Sequence, residues 1–193
     1  MVPFAHILAG FSLGFRFRRT LAEILGSTPV DNSIHSLDPS ALKATGIAAL
    51  ALDFDGVLAP HGFEAPLPEA EEWLSRCVTI FGADNIFILS NKPTEARCLW
   101  FCRNFPGIRF ISGVPKKPFP DGLNKIAELA RLPLSAVLMV DDRLLTGCLA
   151  AINAGARPCY VRSPYVSFKQ RPLIELFFML LRIGERVCVR LLS

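Results

Sequence analysis

Between residues 47 and 161 the chain switches hydrophobic period again and again, and this alternation limits what it can fold into. Ile47 to Phe54 is an apolar run of strand length, and Pro68 to Phe81 has helical spacing with Glu69, Glu71 and Glu72 in its first turns. Strand-like runs recur at Asn85 to Leu89, Ile108 to Ile111, Ala136 to Val140 and Arg157 to Val161. Helical stretches at Thr94 to Asn104, Asp121 to Leu132 and Leu145 to Ala154 lie between them, and Gly155 closes the last. Strands that alternate with helices over short connections predict an α/β fold, a parallel sheet covered on both faces. In such a sheet a ligand sits beyond the carboxyl ends of the strands.

The polar residues gather at those ends. Asp53 and Asp55 follow the first run and Ser90 and Asn91 the second. Lys116-Lys117-Pro118 follows the third, and Asp141 and Asp142 the fourth. Residues i and i+2 of a strand share a face, so Asp53 and Asp55 start out aimed at one place. Two converging carboxylates suit a hard cation, or a division of labour between attack and proton transfer. Asp-x-Asp-Gly on its own is also an ordinary surface turn. The full set at successive strand ends exceeds what turn chemistry asks for.

In order, DFDGVL, ILSN, KKP and MVDD resemble the four motifs of the haloacid dehalogenase (HAD) superfamily of phosphohydrolases. From His35 onward LDPSALKATGIAALALDFDGVL, SNKPTEAR, VPKKPF and DDRLLTG are similar to its YqeG-type class IIIA branch. That branch includes the phosphatidylglycerophosphate phosphatases of bacteria and mitochondria. The resemblance implies a three-layer, Rossmann-like HAD fold and magnesium-dependent phosphomonoester hydrolysis through an aspartyl-phosphate. It gives Asp53 the role of nucleophile and Asp55 that of general acid and base, with the Asp55 backbone carbonyl also on the metal. Ser90 and the amide of Asn91 would bind the phosphoryl oxygens, and Lys117 would neutralise charge. Asp142 would hold magnesium with Asp53, and Asp141 would assist. Lys116 reads as a solvated neighbour.

The fourth motif departs from the branch, whose members usually carry Gly-Asp-Gln there and a further Asp shortly after. Here the residues are Asp141-Asp142-Arg143, with Gly147 at the later acidic position. This leaves open which of Asp141 and Asp142 touches the metal. The usual insertion points for a cap, Ala59 to Asp84 and Lys92 to Pro115, have no room for one. A capless, open site favours large substrates: proteins, nucleic-acid ends or lipid headgroups.

The flanks bear on that choice. Val2 to Phe17 is apolar, free of acids, and bordered by Arg16, Arg18 and Arg19. It is short for a transmembrane span, and its charges follow the apolar run where a secretory signal has them in front. Phe4, Ile7, Leu8, Phe11 and Phe15 near helical spacing predict an interfacial helix. An organelle transit segment or a helix packed on the core are the alternatives. Ser27 to Asp38 reads as a linker, and Asp38-Pro39 opens a short helix through Lys43. Pro172 to Leu192 reads as an amphipathic helix with Glu175, Arg182, Arg186 and Arg190 on one stripe. It either packs on the sheet or joins the first helix at a bilayer. The expected division is therefore a helix and linker over 1–34, a phosphatase domain over 35–171 and an amphipathic helix over 172–193.

Composition agrees with extra apolar surface: 51% of residues are hydrophobic and mean hydropathy is +0.38. A net charge of +4, with no aromatics inside a basic run, argues against nucleic acid as partner. The six cysteines form no CxxC pair and read as buried reduced thiols, which predicts a reducing compartment such as cytoplasm or mitochondrial matrix. His61 reads as a solvated loop residue, and His6 and His35 as structural. The expectation is a magnesium-dependent phosphatase peripherally bound to a membrane, turning phosphatidylglycerophosphate into phosphatidylglycerol. A capless phosphatase for a phosphoprotein or soluble ester, and a non-catalytic membrane-associated adaptor, are the alternatives.

Overall fold

The central strand β1 (Ala49–Leu52) pairs on both sides, with β2 (Ile86–Ile88) and with β4 (Val137–Asp141). In the computed structural model, which describes residues 5–192, β3 (Arg109–Phe110) and β5 (Arg157–Tyr160) complete a parallel sheet of order β3-β2-β1-β4-β5. The side-chain alternation of β1 feeds two cores. Leu50 and Leu52 face Trp73 and Leu74 of α4 (Pro68–Phe81) and Phe101 of α5 (Glu95–Asn104). Ala49 and Ala51 face Leu123 and Ile126 of α6 (Asp121–Ala130) and Ala150 and Ala151 of α7 (Leu149–Ala154). The result is the three-layer, Rossmann-like α/β arrangement that the alternating periods predict, with no cap inserted over 59–84 or 92–115.

Local chemistry sets the helix ends. Asp38 accepts from Ser40 N at 3.1 Å and Ala41 N at 3.2 Å, capping α3 (Pro39–Ala44), and Pro39 stands at its first position. Thr94 caps α5 by accepting from Arg97 N. The helix expected from Leu145 opens instead as a π-helical segment, Leu144–Cys148, before α7.

Two helices precede the sheet. α1 (Ala5–Arg16) corresponds to the expected N-terminal helix; Phe4 and the side chains of His6, Ile7 and Leu8 lie outside the described residues. α2 (Arg18–Ser27) is not apparent from the sequence, because its buried positions, Leu21 and Leu25, are too few to mark a stripe. They form a third core with Leu144, Cys148, Tyr160 and Val189. The stretch expected as a linker contains one 3-10 turn, Ile34–Ser36, that buries Ile34.

The C-terminal helix α8 (Pro172–Leu192) packs against this body by its charged stripe. Glu175, Arg182 and Glu185 are buried, whereas Leu173 is 80% and Leu191 78% exposed. No helix among the described residues is long and apolar enough to cross a membrane. All six cysteines are free thiols; Cys77 and Cys148 are buried, but Cys102 is exposed.

Candidate active site

Where β1 ends the chain must turn sharply. Asp53 N still donates to Val140 O, at 2.9 Å, and then Leu58 N and Ala59 N both reach back to Phe54 O. Gly56 makes the turn at φ +83°, where a Cβ would overlap the Asp142 carboxylate and crowd the Arg182 guanidinium. This turn lets the loop after β1 lie against the end of β4.

The strand ends meet around Lys117. Its buried ammonium lies 3.1 Å from Asp53 Oδ1 and 2.5 Å from Asp141 Oδ2. Asn91 fixes the lysine from the backbone side, accepting from Lys117 N at 2.9 Å. Ser90 is buried at the cleft and accepts from Lys92 N, while Lys116 is exposed as expected. Carboxylate oxygens of Asp53, Asp141 and Asp142 lie within 4.8 Å of one another. Three carboxylates against two cations, Lys117 and Arg182, leave one negative charge in excess. An oxygen-only donor set of that charge fits a hard divalent cation. Asp141 is the more confined acid: Lys117 holds one oxygen, and Arg143 N donates to the other at 2.8 Å. Asp142 faces the cleft, with its Oδ2 accepting from Arg182 Nε at 2.6 Å.

The Asp55 carboxylate is not part of this triad. Arg97 of α5 grips it with two bonds, 2.6 Å to Oδ1 and 3.0 Å to Oδ2, and Gly62 N adds a third at 3.0 Å. The guanidinium lies 3.9 Å over the Phe54 ring. Arg97 is thus a site residue that the motif reading passed over, although it closes the SNKPTEAR stretch.

These surroundings separate the two acids after β1. Burial pushes Asp53 up to about 6, only partly offset by Lys117, with Asp141 and Asp55 adding to the rise. Burial also acts to raise Asp55, but its bonds and charge interaction with Arg97 prevail and hold it below the ordinary carboxylate value. Burial likewise takes Asp142 to about 6 against the pull of Arg182. Lys117 is opposed by burial but raised overall by Asp141 and Asp53, so it stays an ammonium.

α8 supplies one wall. Glu175 Oε1 accepts from His61 N at 3.0 Å, its Oε2 lies 3.2 Å from His61 Nδ1, and the His61 ring stacks on Phe178 at 3.8 Å. His61 is therefore a buried residue of the cleft wall and not a solvated loop histidine, because α8 covers it. Glu185 accepts from Arg143 Nε at 2.8 Å and from Leu144 N at 3.0 Å. The cleft has a volume of about 600 Å³. Asp53, Ser90, Lys117 and Asp142 line it, with Arg171, Leu173 and Phe177 among the residues of its α8 side. His35, expected to be structural, bonds Tyr165 OH at 2.5 Å away from the cleft.

Gly147 bears on the altered fourth motif. A Cβ there would overlap the Asp141 carboxylate. The acid delivered from the end of β4 thus fills the space over the residue at which the resembling branch carries its later Asp.

A model of the haloacid dehalogenase-like hydrolase family matches residues 17–155, which include β1 to β4 and every strand end described above. No curated protein matches the chain. A solved structure of an uncharacterized protein from Corynebacterium glutamicum is similar at 22% identity and a TM-score of 0.47, over 72% of this chain and 96% of that one. That likeness is too slight to carry an argument.

Proposed function

The chain belongs to the haloacid dehalogenase-like hydrolases, and from that premise we propose that it is a magnesium-dependent phosphomonoesterase working through an aspartyl-phosphate on Asp53. One observation carries the reading. A carboxylate at the cleft floor, Asp53, stands 3.1 Å from a buried lysine and shares a triad of acids with Asp141 and Asp142. In this scheme an Asp53 oxygen attacks phosphorus, the ester P–O bond breaks, and the departing alkoxide takes a proton from Asp55. Water then cleaves the acyl phosphate, with Asp55 as base. Lys117 offsets the charge that builds up between carboxylate and phosphate. Ser90 and the amide of Asn91 would hold the phosphoryl oxygens. Asp53, Asp142 and Asp141 would hold magnesium, which would supply further charge neutralisation when bound.

Asp55 adds a condition. With both oxygens engaged by Arg97 it is an anion tied to the cleft wall, so its acid role requires the Arg97 pair to loosen as the substrate enters. A phosphate monoester competing for the guanidinium would have that effect.

The substrate reading is phosphatidylglycerophosphate, hydrolysed to phosphatidylglycerol at a membrane facing a reducing compartment, cytoplasm or mitochondrial matrix. The similarity to the YqeG-type branch and the apolar rim of Leu173, Ile174 and Phe177 on the cleft support it. A soluble phosphate ester or a phosphoprotein is the alternative substrate. The test is phosphate release from a panel of esters, including the lipid in mixed micelles, with and without magnesium. Magnesium-dependent turnover of the lipid well above soluble esters is expected. Turnover of soluble esters alone would replace the lipid reading. Turnover of none would leave an adaptor built on a hydrolase fold.

A further inference from the structure

We infer that the outward faces of α8 and α1 form a single docking surface for an anionic lipid bilayer, with the mouth of the cleft turned toward the headgroups. The inference deepens the lipid reading above and rests on it only for what the cleft does. A surface helix ordinarily turns its apolar stripe inward, and α8 does the reverse. Glu175 is engaged by His61, Arg182 by Asp142 and Glu185 by Arg143, and Arg186 Nε donates to Tyr160 OH at 2.8 Å. With these four charges used against the protein, α8 presents Leu173, Leu176, Phe177, Leu180, Ile183 and Val187 outward, each at least 42% exposed. Their spacing of three and four residues makes one continuous stripe along the helix. Phe11 and Phe15 of α1 are 63% and 57% exposed, and Phe11 borders one groove with Leu180 and Gly184.

Charge identifies the occupant. Both acids of α8 are buried, and α1 has none. Arg16, Arg18 and Arg19 stand at the end of this face, with the Arg18 guanidinium 4.6 Å over the Phe15 ring. Apolar side chains bordered by arginines, on two helices that expose no acid, match an anionic interface, where the rings and aliphatic chains enter the acyl boundary and the guanidinium groups meet phosphates. Leu173 and Phe177 belong both to the stripe and to the cleft lining, so a molecule seated this way holds its cleft at headgroup level.

The test is co-sedimentation of the full chain with phosphatidylcholine vesicles, with and without phosphatidylglycerol. It compares the wild type with Leu176→Gln/Ile183→Gln/Val187→Gln, which leaves the cleft-lining residues in place. The wild type is expected to bind the phosphatidylglycerol vesicles, and the triple variant to bind at least about tenfold more weakly with an unchanged thermal melt. Equal binding by the two proteins would overturn the inference, as would no binding by the wild type. A wild-type dimer by light scattering that the triple variant turns into a monomer, without vesicle binding, would assign the face to a second copy instead. Vesicle binding lost in the variant while no ester is hydrolysed by either protein would leave the surface standing and remove the phosphatase.

Discussion

The acid pairs after β1 and β4 are wired differently. After β1 both acids line the cleft, the first, Asp53, against Lys117 and within the acid triad, the second, Asp55, outside the triad in the grip of Arg97. After β4 the first acid, Asp141, is enclosed by Lys117 and the Arg143 amide, and the second, Asp142, faces the cleft. All four acids are paired with a cation, Asp53 and Asp141 with Lys117, Asp55 with Arg97 and Asp142 with Arg182, so what separates them is whether that cation is shared. Asp55, in the loop after β1, has Arg97 of α5 to itself, and in the scheme above an incoming phosphate would compete for that guanidinium. Asp141 shares its lysine with Asp53, so any change there reaches Asp53 directly.

The largest expected effect breaks the first pair. Asp53→Asn should lower phosphate release by at least about 10³-fold, because no nucleophile remains. Asp55→Asn should cost about 10²- to 10⁴-fold, the usual worth of a general acid, and less with an ester whose leaving group needs no proton, such as p-nitrophenyl phosphate. Equal losses for the two variants on that ester would remove the division of labour.

The second pair can be broken and mended. Asp141→Gly should abolish most magnesium binding and reduce turnover by about 10²-fold, since one acid of three is lost and Lys117 loses its closest partner. Asp141→Gly/Gly147→Asp returns a carboxylate to the same volume from the π-helical segment and should recover activity to within about tenfold of wild type. Magnesium titration followed by thermal shift reads this without relying on turnover. A double variant no better than the single would show that the acid at 141 does more than fill that place. Gly147→Ala alone, which forces a methyl against Asp141, should destabilise the fold by about 1–3 kcal/mol in a melting experiment.

The contrast also separates what the sequence could and could not disclose. Asp53, Ser90, Lys117 and Asp142 were legible because a parallel sheet brings its strand ends together, so residue type and position in the run suffice. Arg97 was not, since its contact with Asp55 spans 42 residues and depends on the turn at Gly56. The period of α8 was plain, but not its direction. A helix with one charged and one apolar face buries whichever finds the better partner. The partners of its charges, His61, Asp142 and Arg143, converge only once the sheet has formed. α2 shows the limit of pattern reading: two leucines one turn apart are enough to fix a short helix but not to announce it.

The smallest effect sharpens the comparison through stability. Burial places Asp53 and Asp142 near 6, above the ordinary 3.8, so without metal the folded protein binds protons between about pH 4 and 6 that the unfolded chain does not. Their contribution to stability is fully present below about pH 4 and is lost as pH rises through 6. Asp55 has the opposite sign: held low by Arg97, it stabilises above the ordinary carboxylate value and loses that contribution as pH falls below it. In metal-free buffer at pH 7.5, Asp53→Asn should therefore melt a few degrees above wild type, a gain of order 1–2 kcal/mol, and the gap should close near pH 4. Asp55→Asn, which leaves Arg97 without its carboxylate, should melt below wild type at pH 7.5 and approach it in acid. Magnesium should raise the wild-type melting temperature at pH 7.5 more than that of Asp53→Asn, because only the wild type has the full set of carboxylates to neutralise. A lower melting temperature for Asp53→Asn at neutral pH would mean that its pairing with Lys117 outweighs its burial.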